Sequence, residues 1–341
     1  MRRPLGHLTS IIVVLASMIV GFLGGREIFR PRRTIMVYGI ETMSTVSNIT
    51  AEASAAADFV PAFNAFAKVE TMCNAFDIYS ELSSLNSSAA EKPFVCSPEL
   101  YEILTAAREA YRVSEGGFDI TAGPLMKLWG FRRKQDKPQL PPPEEIAGAK
   151  KLVGLDKVRF DDAARSVYFT VPGMSIDLGG IAKGWAADLA ARALEANGVT
   201  KGMIDLGGNL RALAEPINPE GSLVAIRDPL DGRKNCEHIL LQRGAVATSG
   251  NYERFVEIDG KRYAHIMDPA TGMPVEGILA VTVVAPTALQ ADWLSTTVFV
   301  RPELAEKIVK EFPEVEIRVY LPSGEAPGYV MKHYGKSDLL K

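Results

Sequence analysis

One fourteen-residue stretch constrains this chain more than any other. Residues 175–188 read Ser-Ile-Asp-Leu-Gly-Gly-Ile-Ala-Lys-Gly-Trp-Ala-Ala-Asp. A short apolar run through Met174 and Ile176 reaches an acid, Asp177, and breaks at Gly179-Gly180. A helix-favouring stretch then runs from about Ile181 to Asn197 and stops at Gly198. The pattern predicts a strand, a tight turn and a helix N-terminus, with Lys183 in the first helical turn. Glycines let the backbone approach a ligand closely. Exposed N–H groups and the positive dipole end of a helix attract anions. An isolated Gly-Gly is more often an ordinary strand–helix connection. Here Met203–Asn209 repeats Asp-Leu-Gly-Gly directly after the helix, so two such turns can face one cleft.

The rest of the chain predicts an α+β fold. Ile35–Val37 reads as a short strand, followed by a β-branched segment at Thr42–Val46. Phe63, Phe66, Val69 and Cys73 have helical spacing, predicting an amphipathic helix that ends near Phe76. Tyr79–Asn86 is serine-rich and reads as a loop. Ser97-Pro98 starts a helix whose buried stripe is Leu100, Ile103, Leu104, Ala107 and Tyr111, ended by Gly116-Gly117. Lys134–Pro143 is an exposed loop and Pro143–Val153 a short helix closed by Gly154. Beyond the central motif short β runs dominate: Leu223–Arg227, His238–Leu241 and Val246–Ser249, then a hairpin turning at Asp259-Gly260. Leu279–Ala285 reads as a buried strand, Leu289–Val300 and Pro302–Phe312 as helices, and Glu316–Tyr320 and Tyr329–Met331 as final strands. Strands mixed irregularly with helices point away from strict βαβ alternation.

Composition limits the function classes. With 341 residues, 47% of them hydrophobic, the chain can bury a sizeable core. A net charge of −3 gives no basic excess to suggest nucleic acid as a partner. Cys73, Cys96 and Cys236 are widely spaced and fit no metal motif, which leaves free thiols or a single disulfide open. At the N-terminus, Arg2 and Arg3 precede the uncharged, mostly apolar Leu8–Leu23. That length suits a signal-peptide core or a short spanning helix, and the lack of a small-residue cleavage site favours an uncleaved anchor. Arg26, Arg30, Arg32 and Arg33 follow it, a charge bias that by itself would keep the folded part in the cytoplasm.

Several segments carry groups suited to chemistry. Asp119 is an acid among apolar residues just after Gly116-Gly117, where a turn or cap role competes with ligand contact. Ala247–Tyr252 ends a strand in small hydroxyl residues and glycine, and His265–Gly272 forms a polar turn after the hairpin. Asp292 and Thr296 lie four apart, on one face of a predicted helix. A carboxylate with hydroxyl and carbonyl oxygens suits a hard cation such as Mg²⁺; an acid favouring the helix dipole is the plainer alternative.

The motifs Asp-Leu-Gly-Gly-Ile-Ala-Lys-Gly (177–184), Asp-Leu-Gly-Gly-Asn (205–209), Ala-Thr-Ser-Gly-Asn-Tyr (247–252), His-Ile-Met-Asp-Pro-Ala-Thr-Gly (265–272) and Ala-Asp-Trp-Leu-Ser-Thr (291–296) together resemble the ApbE family of FAD:protein FMN transferases. Tyr79–Asn86, Phe118–Pro124 and Leu128–Phe131 match its N-terminal half, and the likeness runs from about Met36 to Tyr329 in the family's order. The resemblance implies an α+β fold of mixed sheet and helices, residues 34–335, with a flavin cleft between the Met43–Phe131 and Asp177–Thr296 halves. Residues 1–33 would form the signal or anchor and a basic linker, a membrane segment ahead of the fold. It also implies a Mg²⁺-dependent enzyme that splits FAD, attaches FMN to a threonine or serine of an acceptor flavoprotein and releases AMP. A subunit of an electron-transfer complex is the implied acceptor. Carried over by position, Met43, Phe76, Gly117, Phe118, Asp119, Asp177, Lys183 and Ile266 would contact FAD. Gly180 through its carbonyl, Asp292 and Thr296 would hold the metal, with Ser295 where some members have a second acid. Members are typically exported, so the family favours a bacterial inner-membrane anchor with the catalytic domain facing the periplasm or cell exterior, against the arginine count.

Transfer of a phosphoryl group needs positioning and charge neutralisation above all. The glycine-turn N–H groups and Lys183 can supply these. The acceptor hydroxyl must lose a proton, and His265 is the candidate base with Asp268 as competitor. Two alternatives use the same site: hydrolysis of FAD to FMN and AMP, and flavin carriage without turnover.

Overall fold

The computed structural model describes residues 33–53, 59–131, 138–252 and 255–341, with side chains from residue 40 onward. Its spine is one eight-stranded sheet: β1 (Arg33–Thr42), β2 (Thr45–Ala53), β3 (Lys201–Leu206), β4 (Asn209–Ala212), β5 (Ala245–Gly250), β6 (Ala280–Ala285), β7 (Glu316–Pro322) and β8 (Tyr329–Tyr334). The strands lie side by side in chain order, and every pairing is antiparallel. Neighbours that follow one another antiparallel need no crossover. The chain can therefore leave between strands for long excursions and return beside the strand it left.

Those excursions build the two faces. Between β2 and β3 come α1 (Val60–Cys73), α2 (Glu81–Ser88), α3 (Pro98–Val113), α4 (Gly123–Leu128), α5 (Pro143–Lys150) and α6 (Ala182–Ala196). Between β6 and β7 come α7 (Ala288–Val300) and α8 (Ala305–Glu311). Strand residues alternate between faces. Ala245, Ala247, Val281, Val283, Ile317 and Val319 join the main core with α1, α3, α6 and α7. Val246, Ala280, Val284 and Tyr320 point the other way, under a hairpin of residues 222–241 and the C-terminal Leu339. That C-terminal segment pairs Leu340 with Leu241, so packing continues past the last strand. The two halves expected on either side of a cleft share this single sheet: β1 pairs onto β2, and β2 directly onto β3.

Local chemistry explains where the sequence reading falls short. Six of the eight residues of the serine-rich 79–86 segment are helical. Ser80 accepts from Ser83 N at 2.9 Å as N-cap, Leu82 and Leu85 are fully buried, and Glu81 accepts from Ser97 N and Oγ at 2.6 and 2.7 Å. Burial of two leucines one turn apart outweighs the weak helix propensity of serine. The apolar run before Gly179 is extended but is no strand. The Asn86 side chain stands in for a neighbouring strand, donating to Ile176 O at 2.9 Å and accepting from Ile176 N at 2.7 Å. Asp177 N then donates to Ile120 O at 2.7 Å. All three cysteines are free, and burial pushes the thiols of Cys73 and Cys96 up to about 12, so neither is a ready nucleophile. Among the described residues no helix is long and apolar enough to cross a membrane, and Leu8–Leu23 lies outside them.

Asn86→Ala strands both the N–H and the C=O of a fully buried Ile176. With two stranded groups at roughly 1–3 kcal/mol each, it should cost about 2–6 kcal/mol. A urea titration checks this: the midpoint should fall with the slope unchanged.

Candidate active site

The site is built where α6 and α7 cross. A Cβ at Gly184 would lie 2.2 Å from Ala288 O and 2.7 Å from Asp292 Cβ, so only glycine lets the helices meet this closely. The close approach brings the first turn of α6 against Asp292. Gly184 N donates to Asp292 Oδ2 at 2.8 Å, and Lys183 Nζ stands 3.9 Å from Oδ1. Asp292 is thus no surface acid at the start of its own helix. It is buried, and its carboxylate answers the dipole of a neighbouring helix. Burial pushes its carboxyl above the ordinary range, partly offset by Lys183 and the Gly184 N–H. The Asn209 amide, from the second Asp-Leu-Gly-Gly motif, lies beside it, buried and without a partner in hydrogen-bond geometry. Both glycine motifs therefore converge on one carboxylate.

A second carboxylate sets the register of α7. Asp188, at the end of the organising stretch, accepts from Ala288 N at 3.0 Å and Leu289 N at 2.8 Å, capping α7 from outside. Arg211 Nε pairs with it at 2.9 Å and Arg211 Nη1 donates to Ala212 O and Gly244 O. One turn beyond Asp292, hydroxyls gather. Ser249 Oγ lies 2.9 Å from Ser295 Oγ and 3.2 Å from Thr296 Oγ1, and Ser295 Oγ donates to Asp292 O at 2.8 Å. Ser295 is engaged behind the others, while Thr296 Oγ1 faces Gly180, 3.7 Å from where a Cβ there would sit. The Phe118 ring also packs against Gly180, at 3.2 Å from the same point.

Around this centre stand most of the remaining expected residues. Asp177 Oδ1 accepts from Gly179 N at 2.8 Å, shaping the Gly-Gly turn. Asp119 caps a short 3-10 turn, accepting from Thr121 N, Thr121 Oγ1 and Leu155 N, and its burial pushes the carboxyl upward. The hydrogen bond between Asp177 N and Ile120 O sets these two acids close together. Met43 and Ser44 form the β1–β2 turn with φ of 51° and 59°, a left-handed pair that costs non-glycine residues of order 1–3 kcal/mol each. This turn nests beside the Gly207-Gly208 turn, where a Cβ on Gly207 would meet Thr45 Oγ1 at 2.2 Å. Phe76 is 59% exposed, on a loop with the exposed Ile78 and Tyr79. Ile266 is buried and its carbonyl accepts from Val275 N at 2.9 Å. His265 is half-buried directly after the hairpin strand Lys261–Ala264. Asp268 pairs with Arg301, Nη2 to Oδ1 at 3.2 Å, and accepts from Ala270 N at 2.9 Å.

Asn86, Asp188, Asn209, Arg211, Ser249 and Arg301 do structural work here that the sequence reading assigned to none of them. Asn86, Asp188, Asn209 and Ser249 fall within stretches already noticed, whereas Arg211 and Arg301 fall in none of them.

A profile of the ApbE family matches residues 43–319. This chain belongs to the ApbE family. Among ApbE relatives, the FAD:protein FMN transferase of Escherichia coli K12 is 34% identical over 238 residues, 68% of this chain and 67% of that protein. The protein of the same name in Treponema pallidum is 33% identical over 322 residues, 89% of this chain and 88% of the relative. The crystal structure of the ApbE protein of Thermotoga maritima superposes with a TM-score of 0.79 at 30% identity, covering 90% of this chain and 97% of that one. The flavin transferase ApbE of Vibrio cholerae gives 0.79 at 27% identity, covering 91% and 99%. The α+β architecture described above is the ApbE fold.

The buried carboxylate gives a pH signature. Its raised carboxyl means that the folded state holds a proton that the unfolded chain releases, so stability falls as pH rises from the ordinary carboxylate value through the raised one. In Asp292→Asn without added metal, melting temperatures should lose that part of the decline and exceed wild type at neutral pH. Thermal melts across pH 4–8, taken with a chelator (roughly the window above the ordinary carboxylate value), check it.

Proposed function

We propose that this chain is a Mg²⁺-dependent FAD:protein FMN transferase. The observation that carries the reading is Asp292, a fully buried acid held by a helix N-terminus and a lysine, with the Thr296 hydroxyl one turn away and facing Gly180. Among the described residues no group of three or more His, Cys, Asp or Glu side chains is arranged to hold a metal ion. One carboxylate with neutral oxygens fits Mg²⁺, which keeps waters and substrate phosphates as its other ligands. The under-compensated charge of Asp292, against which the buried Asn209 amide also lies, is what such an ion would satisfy. Asp292, Thr296 and the Gly180 carbonyl would hold it, with Ser295 and Ser249 fixing the Thr296 hydroxyl. When bound, the ion neutralises charge on the FAD pyrophosphate.

The chain's own residues do the rest. Lys183 holds the pyrophosphate oxygens, at the positive end of the α6 dipole. Met43, Phe76, the Gly117–Asp119 loop, Asp177 and Ile266 bind the remainder of FAD. The acceptor threonine or serine oxygen attacks the FMN phosphorus, the P–O bond to AMP breaks, and the hydroxyl proton passes to His265. Asp268, already paired with Arg301 and Ala270 N, is the weaker candidate for that proton. The acceptor is a flavoprotein such as an electron-transfer subunit. The chain acts from a membrane anchor at Leu8–Leu23, with residues 34–335 as the catalytic domain outside the cell membrane. Reporter fusions after Arg33 should be active outside; activity only in the cytoplasm would reverse this topology.

Incubation with FAD and Mg²⁺, with and without an acceptor peptide, tests the activity. AMP formed only with the peptide supports transfer, AMP without it means hydrolysis, and no AMP means a carrier. Asp292→Ala should abolish Mg²⁺-dependent AMP release. Thr296→Ala should do less, because water can replace a neutral hydroxyl ligand. A near-normal rate and unchanged Mg²⁺ dependence in Asp292→Ala would remove the metal from this site.

A further inference from the structure

Arg301 lies at the end of α7, nine residues past Asp292, and none of the motifs above includes it. Its backbone closes the helix, N donating to Thr297 O at 2.7 Å, and its side chain turns back into the molecule, only a quarter exposed. The stem crosses Gly117: a Cβ added at 117 would lie 2.6 Å from Arg301 Cγ and 3.5 Å from Nε. The guanidinium then reaches Asp268, Nη2 to Oδ1 at 3.2 Å. Asp268 sits in the turn that follows His265, and that turn is itself anchored by Gly272 N to Asp268 O at 2.8 Å and by Trp129 Nε1 to Gly272 O at 3.0 Å.

One side chain thus touches three segments that come from distant parts of the chain. They are the end of the helix bearing Asp292 and Thr296, the Gly117-Phe118 loop that covers Gly180, and the turn downstream of His265. We infer that Arg301 is a positioning residue for the transfer step, fixing the His265-bearing turn against the flavin-side loop. The inference rests on the transfer reaction proposed above. Gly117 acquires a reason of its own from this arrangement, since its missing side chain is the space the Arg301 stem fills. Asp268 acquires one as well. With its Oδ1 shared between Arg301 and Ala270 N, it anchors the turn and leaves the proton to His265.

The two functions of Arg301, stem and charge, separate by mutation. Arg301→Met keeps an unbranched apolar stem over Gly117 and removes the guanidinium. AMP release in the presence of acceptor peptide should fall about tenfold or more in kcat, with KM for FAD and the Mg²⁺ dependence unchanged, the mark of displaced geometry rather than lost binding. Arg301→Lys, which restores a cation within reach of Asp268, should recover part of the loss. Asp268→Asn should resemble Arg301→Met, and the double variant should be no slower than either single, because the two act as one unit. Losses that multiply would overturn the inference, as would wild-type kcat in Arg301→Met. An Asp268→Asn loss far larger than that of Arg301→Met would do so too, by making Asp268 the base. Amide hydrogen exchange decides the matter without turnover. Exchange across 266–272 should quicken in Arg301→Met, and unchanged exchange there overturns the role. A wild type that releases no acceptor-dependent AMP would sink the transfer reading instead and leave that exchange result to stand for Arg301 by itself.

Discussion

The architecture of the site depends on one contact, the Gly184 N–H on the Asp292 carboxylate. It exists because Gly184 has no side chain and the helices can close to backbone contact at Ala288. Closure takes Asp292 out of water, which is costly for a charge. The first turn of α6 repays part of that cost with its dipole, an N–H and Lys183. The same closure places Thr296 opposite Gly180 and sets Asp188 under the start of α7. A single crossing point therefore sets the positions of the acid, the hydroxyl and the glycine turn together.

Much of this was legible beforehand, and the reasons are local. The α6 limits followed from Gly179-Gly180 and Gly198, and the expected Leu289–Val300 helix matches α7 to within one residue. The hairpin at Asp259-Gly260 was readable because a left-handed pair demands such residues, and the two have φ of 51° and 77°. Asp292 and Thr296 could be placed on one face from spacing alone. What spacing cannot show is what that face meets. That Asp292 would be buried against another helix depended on residues 108 positions away.

The misses share that cause. Asn86 looked like the tail of a serine-rich loop, because its task is set by Ile176, ninety residues on. Asp188 closed the organising stretch with no role assigned to it, because its partners are the N–H groups of another helix. The Met43-Ser44 turn carried no signal at all, since neither residue favours the left-handed region it occupies. Backbone strain of this kind is held in place by surroundings, here the neighbouring Gly207-Gly208 turn, and surroundings are tertiary.

The ordering of the sheet has a consequence for reach. β1 enters at Arg33 and travels ten residues before it turns at Met43. At about 3.3 Å per residue, this strand is a rigid strut roughly 30 Å long. Whatever is joined ahead of Arg33 attaches at one end of the strut, and the strained turn beside the glycine motifs rides at the other. The Met43-Ser44 turn and the Gly207-Gly208 turn beside it therefore lie about the length of that strand from the point where the preceding chain joins the sheet.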